Sequence, residues 1–368
     1  MIKQLKKLTL QFFAGANITI VLLMLLVGYS DHIDPEHHPI AGCVGITFPF
    51  FIIANFLFLG FWMLFYWRKA WIPILGFILA YEPINIYMPI RLIDDPPADA
   101  LKVMAYNVCG FGGRGTKVKD TFGNIFGYIT DNKPDILCIV EDNDTWRHSD
   151  TIFAKHFDYN ERVTLTAKDK KWINHIGMHT RFPILKQEII EVESGTKVNG
   201  AVAFYVQVDG DTLLVVGCHL ENIHLDTADR KQYKEILKGE IKGDTAKAES
   251  KDMLEKLSEA FAIRAKQAKV IKRYIDQNGK DKPVIICGDF NDTPISFVRH
   301  TLSKGLTDCY AASGRGLGLS YNQKGFNFRI DHILCSPDIT PYHCVVDTKI
   351  ADSDHYPVVC WLKMREKP

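Results

Sequence analysis

Carboxylates, amides and imidazoles recur at the ends of short apolar runs in the C-terminal part of this 368-residue chain. Asn107 follows residues 103–106, Glu141 follows 136–140 and His219 follows 213–218. Asp289 and Asn291 come after 284–287, Asp331 and His332 open 333–335, and Asp354 and His355 precede 357–360. Loops at one end of a strand scaffold are where binding and catalytic groups collect. Polar residues close most strands, so one such arrival is ordinary. Six of them, with no Ser or Cys nucleophile pattern beside them, point to a hard divalent cation, Mg²⁺ or Mn²⁺, held by oxygens. The competing accounts are an Asx turn for Asp289 and Asn291, a satisfied strand-end imidazole for His219, and an ordinary loop amide for Asn222.

The order of these segments carries a resemblance. Met-Ala-Tyr-Asn-Val at 104–108, Val-Glu-Asp at 140–142, Gly-Cys-His-Leu at 217–220, Gly-Asp-Phe-Asn-Asp at 288–292, Arg-Ile-Asp-His-Ile at 329–333 and Ser-Asp-His-Tyr-Pro-Val at 353–358 succeed one another. Together they resemble the endonuclease/exonuclease/phosphatase superfamily, which includes deoxyribonucleases, abasic-site endonucleases, sphingomyelinases and inositol-phosphate phosphatases. Thr-Arg-Phe-Pro-Ile at 180–184 is similar to a further segment of that family. Val140 and Cys218 depart from its usual residues, but neither replaces a catalytic side chain. The resemblance implies Glu141 as the main Mg²⁺ ligand, Asn107 beside it as ligand or phosphate contact, and Asp354 as a second ligand or a support. It implies Asp289 as the group that orients or deprotonates water, and Asn291 as a donor to a phosphoryl oxygen. His355, oriented by Asp331, would stabilise the pentacoordinate phosphorus, and His219 would contact the phosphate or assist the leaving group; Asn222, three residues after His219, is a further candidate phosphate contact. Arg181, His332, Arg264 and Gln267 read as structural.

Positioning such groups requires strands, and the runs 101–106, 136–140, 200–208, 212–218, 284–287, 330–335 and 358–362 are of strand length and rich in Val, Ile, Phe and Tyr. Asp209 and Gly210 mark a hairpin between two of them. Apolar periodicity predicts helices over 121–130 and 250–277, and a charge-alternating helical insertion over 226–256. The expected fold is α/β (α+β): a four-layered sandwich of two packed, mostly antiparallel sheets flanked by helices over 100–368, joined by a Pro-containing linker at 94–99 to an all-α region at 1–93.

That N-terminal region reads as membrane-embedded. Residues 10–28 and 42–67 are uncharged, and 70–90 is interrupted only by Glu82, so three transmembrane helices are expected. Lys3, Lys6 and Lys7 precede the first and Arg68 and Lys69 fill the turn after the second, whereas 31–39 has no Lys or Arg. The positive-inside rule then places the C-terminal domain outside the cytoplasm of a bacterial inner membrane. A re-entrant third segment would reverse that side. Eight of the nine cysteines lie in the C-terminal domain without metal-ligand spacing, which suggests inert core thiols. His32, His37 and His38 read as a solvated loop.

The net charge of +1 conceals a division. Residues 1–93 hold six basic and four acidic side chains, leaving 38 basic and 39 acidic for the remainder. A domain near -1 with no Lys/Arg cluster disfavours a nucleic-acid partner. The expectation is a membrane-tethered, Mg²⁺- or Mn²⁺-dependent phosphoesterase acting on a phosphodiester or phosphomonoester, with a lipid headgroup as candidate substrate and no protein partner inferred. Its alternatives are a nuclease acting on DNA or RNA and an inactive membrane scaffold.

Overall fold

The computed structural model describes residues 2–92, 94–111, 121–142, 150–166, 173–195, 198–223, 243–323 and 326–365. The N-terminal helices are α1 (Ile2–Gly28), α2 (Ala41–Val44), α3 (Phe48–Phe65), α4 (Trp71–Leu79) and α5 (Tyr81–Tyr87). Two stretches, Lys3–His32 and Ala41–Phe65, are long and apolar enough to cross a bilayer. The expected third span, 70–90, takes the form of a helix pair, Trp67–Leu79 and Tyr81–Tyr87, bent by 64°, whose combined length and apolar character fit either a broken span or a re-entrant loop. Pro83 explains the break, because it has no N–H to give the carbonyl of Leu79 and its ring collides with that turn. Inside the bundle Trp62 Nε1 donates to Asn17 Oδ1 (2.9 Å), Asn17 Nδ2 to Asn55 Oδ1 (3.1 Å), and Asn55 Nδ2 to the carbonyl of Pro73 (3.0 Å). This chain of buried amides ties α1, α3 and α4 together where apolar packing alone has little directional preference.

The remainder is the expected sandwich. Its strands are β1 (Leu101–Asn107), β2 (Ile136–Val140), β3 (Tyr159–Thr166), β4 (Ile173–Thr180), β5 (Ile184–Ile190), β6 (Gly200–Val208), β7 (Asp211–His219), β8 (Val284–Asp289), β9 (Thr307–Asp308), β10 (Tyr321–Gln323), β11 (Phe326–Phe328), β12 (Asp331–Cys335), β13 (Ile339–Val346) and β14 (Val358–Met364). One six-stranded sheet runs β13-β14-β1-β2-β4-β3 and the other β5-β6-β7-β8-β12-β9, with β10 and β11 as a separate hairpin. Each large sheet has one parallel pair at its centre, β1 with β2 and β7 with β8, and antiparallel neighbours around it. A parallel pair needs a crossover. Helix α6 (Thr121–Asn132) lies on the first, and a long helix, Gly243–Asn278, on the second. The expected insertion therefore divides: 243–256 begins the long helix, and 226–242 lies outside the described residues.

Period-two alternation assigns each central strand to two cores. Val103 and Ala105 of β1, Ile136, Cys138 and Val140 of β2, Leu213 and Val215 of β7, and Ile285 and Cys287 of β8 meet between the sheets. The intervening residues face outward, Met104 and Leu137 beneath α6 and Leu214, Val216 and Ile286 beneath the long helix. Burying such side chains contributes roughly 1.5–3 kcal/mol each. The sheets pack tightly at Gly217, where a Cβ would stand 2.9 Å from both Cys138 Sγ and a methyl of Ile176. All nine cysteines are free thiols and eight are buried, in keeping with core packing.

Candidate active site

The carboxyl ends of both parallel pairs face the same region, and the antiparallel neighbours begin there. Asn107 ends β1 and Glu141 follows β2, while His219 and Asp289 end β7 and β8 in direct register with one another. Asp331 opens β12 opposite Asp289. His355 precedes β14, which pairs with β1 from Val358 and Ala105 onward. Residues far apart in sequence are therefore brought together by register alone. Backbone conformation finishes the job at two points. Glu141 has φ 55°, turning its side chain out of the strand direction. Gly288 has φ 126°, and a Cβ there would fall 2.2 Å from the carbonyl oxygen of Cys218, so glycine is required immediately before Asp289.

Asn107 stands between two carboxylates: its Nδ2 lies 3.2 Å from Glu141 Oε1 and 3.1 Å from Asp289 Oδ2, while its Oδ1 accepts from the N–H of Cys109 (3.0 Å). In this orientation the amide serves as a donor in the cluster. His219 presents Nε2 to Glu141 Oε1 at 3.4 Å and to Asp289 Oδ2 at 3.9 Å. Its other nitrogen, Nδ1, meets Asn174 Nδ2 at 2.6 Å and Asn199 Nδ2 at 3.4 Å. Two amide donors on Nδ1 place the ring proton on Nε2, directed at the carboxylates. His355 Nδ1 lies 2.7 Å from Asp331 Oδ2, and its Nε2 is 3.7 Å from Asp289 Oδ2. Asn291, with φ 52°, donates its main-chain N–H to Asp289 Oδ1 (2.8 Å) and one amide proton to the carbonyl of Leu220 (2.9 Å).

These contacts separate the acid–base properties of the two central carboxylates. Burial raises the Glu141 carboxyl, but the hydrogen bond from His219, with the charge of His355 beside it, outweighs that and holds the group at about 2. Burial and the charge of Asp331 push Asp289 up to about 6, against the opposing pull of His355. Burial would lower His355, yet Asp331 and Asp289 hold it up at about 10. Glu141 thus stays an anion and offers oxygen donors, and Asp289 sits where a carboxylate can accept a proton from water near neutral pH. The oxygens of Glu141 and Asp289, bridged by one amide, form a donor set suited to Mg²⁺ or Mn²⁺. Asp289, Asp331 and His355 also place one atom each within 4.8 Å of the others. The short His355–Asp331 hydrogen bond marks that group as an oriented imidazole.

Asp354 is half-buried and acts on His355 through its charge, and no hydrogen bond holds its carboxylate among the described residues. Asn222 lies half-buried on the loop leaving β7. The residues read as structural are placed accordingly. Arg181 pairs with Asp135 at 3.1 Å, His332 Nε2 meets the carbonyl of Asp292 at 3.1 Å, and Arg264 and Gln267 fasten the main chain of Glu221. Sequence reasoning missed Asn174 and Asn199, which orient His219, and Ser320, whose Oγ accepts from the N–H of Ile330 and of Asp331 (3.0 Å each). Ser353, noted only as part of a motif, donates to the carbonyl of Asn107 (2.7 Å) and accepts from the N–H of His355 (3.2 Å). Asn174 carried no distinguishing signal, since His175, His179 and Thr180 make its own strand as polar, and its partner His219 belongs to the opposite sheet. Beside His355 is a cleft of about 490 Å³ lined by Arg315, Leu319, Tyr321, Asn322, His343 and Tyr356 among others.

A family model described as "Endonuclease/Exonuclease/phosphatase family" matches residues 104–355, a span that holds every one of these groups. The chain belongs to the endonuclease/exonuclease/phosphatase family. A second model, for a domain of unknown function, matches residues 10–87. No curated protein matches the chain in sequence. Among solved structures, an endonuclease/exonuclease/phosphatase from Beutenbergia cavernae is 16% identical with a TM-score of 0.52, covering 72% of this chain and 72% of its own. The human Nocturnin catalytic domain, solved with a bound sulfate anion, is 15% identical with a TM-score of 0.50, covering 73% of this chain and 96% of its own. At these identities the likeness is one of fold, and the family's relatives are hydrolases of phosphoesters.

Proposed function

We propose that this chain is a membrane-integral, Mg²⁺- or Mn²⁺-dependent phosphoesterase that cleaves phosphoesters at a bilayer surface, with a lipid headgroup as the favoured substrate. The observation that carries the catalytic reading is the meeting of Asn107, Glu141, His219, Asp289 and the His355–Asp331 pair at one end of both sheets. A divalent cation held by Glu141, with Asp354 as a further ligand and Asn107 as another once its amide turns its oxygen toward the cluster, would polarise the phosphorus and help lower the barrier to water attack. Asp289 orients the water and takes its proton. His355, kept cationic by Asp331, neutralises charge on the non-bridging oxygens, a task that fixed cationic donors perform best in a water-poor site. Asn291, and His219 through Nε2–H, donate to the phosphate, with Asn222 as a further contact.

Support for a surface substrate comes from where the cleft sits. Its wall at Arg315 and Leu317 is tied to the end of the N-terminal region: the N–H of Gly316 donates to the carbonyl of Pro89 (2.8 Å), and Arg329 donates to the carbonyls of Leu317 (2.8 Å) and Ile86. A substrate embedded in the bilayer would meet that wall at high effective concentration. The net charge near -1 gives no basic field for a polyanion. The test is purified full-length protein incubated with a bis-aryl phosphodiester, mixed phospholipid and sphingolipid vesicles, and plasmid, each with Mg²⁺ and with chelator. Metal-dependent release of headgroup or phosphate is expected. Plasmid nicking with intact lipid would overturn the substrate assignment, and full activity in Asp289→Ala the mechanism.

A further inference from the structure

The loop leaving β8, from Asp289 to Ile295, ends inside the N-terminal bundle. Ile295 is 1% exposed and packs with Met24, Val27, Phe48, Ile52 and Ala80. At Gly45, between α2 and α3, main chain meets main chain: a Cβ there would fall 2.0 Å from the carbonyl oxygen of Ile295. Thr293 Oγ1 donates to that same carbonyl (3.4 Å), the Thr293 N–H donates to Asp292 Oδ1 (2.9 Å), and the Asn291 N–H donates to Asp289 Oδ1 (2.8 Å). Four residues past Ile295, Arg299 forms a buried ion pair with Asp31 at 3.1 Å.

We propose that the N-terminal bundle is a working part of the active site, with Gly45 and Ile295 as positioning residues that set where Asp289 and Asn291 stand. The inference rests on the reading of Asp289 as the group that handles the attacking water. Side-chain-to-main-chain hydrogen bonds link Ile295 back to Asp289 with little slack, so a shift at the bundle contact reaches the reacting carboxylate. Moving such a group by about 1 Å can cost roughly 100-fold in rate. The opposite possibility is physically defined. Asp292 is also gripped from the domain side, by Arg264 at 3.6 Å and by His332 on its carbonyl at 3.1 Å. If that grip dominates, the loop holds its place whatever happens at Gly45.

Full-length protein in detergent decides between them, with Gly45→Ala, Ile295→Ala and Ile295→Val compared against Gly60→Ala, whose added Cβ meets nothing within 4 Å. Rates are taken per folded molecule, with a bis-aryl phosphodiester and Mg²⁺. Gly45→Ala and Ile295→Ala are expected to lose roughly 10- to 100-fold in kcat with KM changed less than about twofold, and Ile295→Val to restore most of it. A second readout needs no substrate: amide hydrogen exchange at residues 290–293 should rise in Ile295→Ala while that of β8 stays unchanged. Wild-type kcat and wild-type exchange in folded Gly45→Ala and Ile295→Ala overturn the inference. Asp289→Ala separates the two ideas. If it is inactive while Gly45→Ala is fully active, only the role of the bundle falls; if it retains activity, the reading of the site falls.

Discussion

His355 Nδ1 and Asp331 Oδ2 are 2.7 Å apart, joining the loop before β14 in one sheet to the start of β12 in the other, and both residues are buried. The pair is therefore structural as well as chemical. Burial disfavours the imidazolium, but Asp331 and Asp289 overcome it and hold His355 at about 10, compared with about 6.5 in an unfolded chain. A pKa raised by folding gives stability that is complete below about 6.5 and is lost as pH climbs toward 10. Metal-free protein should lose stability across that window at up to about 1.4 kcal/mol per pH unit from this group. Thermal unfolding of wild type and Asp331→Asn in chelator checks it: the variant should show a flatter profile, and parallel profiles would remove His355 as the source.

Asn174 sets the proton on His219. Asn174→Asp replaces the donor on Nδ1 with an acceptor, pulling the proton to Nδ1 and leaving Nε2 bare toward Glu141 unless the ring is fully protonated. The expected outcome is a kcat lowered about tenfold or more and a rate profile that requires lower pH, since only the imidazolium then carries a proton on Nε2. Asn174→Ala removes a buried hydrogen-bond partner and should cost about 1–3 kcal/mol. A profile for Asn174→Asp superimposable on that of wild type would show that the tautomer has no part in the rate.

Glu141 gives a prediction independent of catalysis. If its carboxylate is the principal ligand, Mg²⁺ at 100 times its Kd should stabilise the fold by about 2.7 kcal/mol, read as a shift in the unfolding midpoint that chelator reverses. Glu141→Gln should lose most of that gain, and Asp354→Asn only part of it if Asp354 merely supports the site. An undiminished shift in Glu141→Gln would falsify its role as a ligand.

The legible part of this protein was what local pattern encodes. Runs 136–140 and 200–208 coincide with β2 and β6, and the Asp209–Gly210 turn joins β6 to β7 with both residues at positive φ, 49° and 89°. The site groups stood out because polar residues at strand ends contrast with buried apolar runs. Strands β4, β5 and β13 were not anticipated. β4 buries Asn174, His175 and His179 on both faces, β5 is an exposed edge with Lys186, Gln187 and Glu188, and β13 carries Pro341. Each breaks the apolar signature for a reason that only the assembled sheet supplies. The partners of His219 and the seating of Ile295 in the bundle were hidden for the same reason: each depends on contacts between segments whose spacing in sequence carries no signal.

The contacts between bundle and domain also constrain topology. The domain touches the segment between the first two apolar helices, through Asp31 with Arg299 and Gly45 with Ile295, and it touches the chain after α5, through Pro89 with Gly316 and Ile86 with Arg329. If Lys3–His32 and Ala41–Phe65 each cross a bilayer, these contacts would set residues 31–40 and 86–91 on one side and Arg68 and Lys69, just past α3, on the other. On that arrangement a bent pair that returned to the side of Arg68 would not reach the Pro89 and Ile86 contacts, which favours α4 and α5 together as a third crossing. Lys3, Lys6 and Lys7 at the start of α1 would then share the side of Arg68 and Lys69, and the positive-inside rule predicts that side to be the cytoplasm. Compartment-sensitive reporters fused after Lys69 and after Asp99 are expected to read cytoplasmic and extracytoplasmic respectively. Equal readouts would refute the third crossing, and a reversed pair would place the active site on the cytoplasmic face.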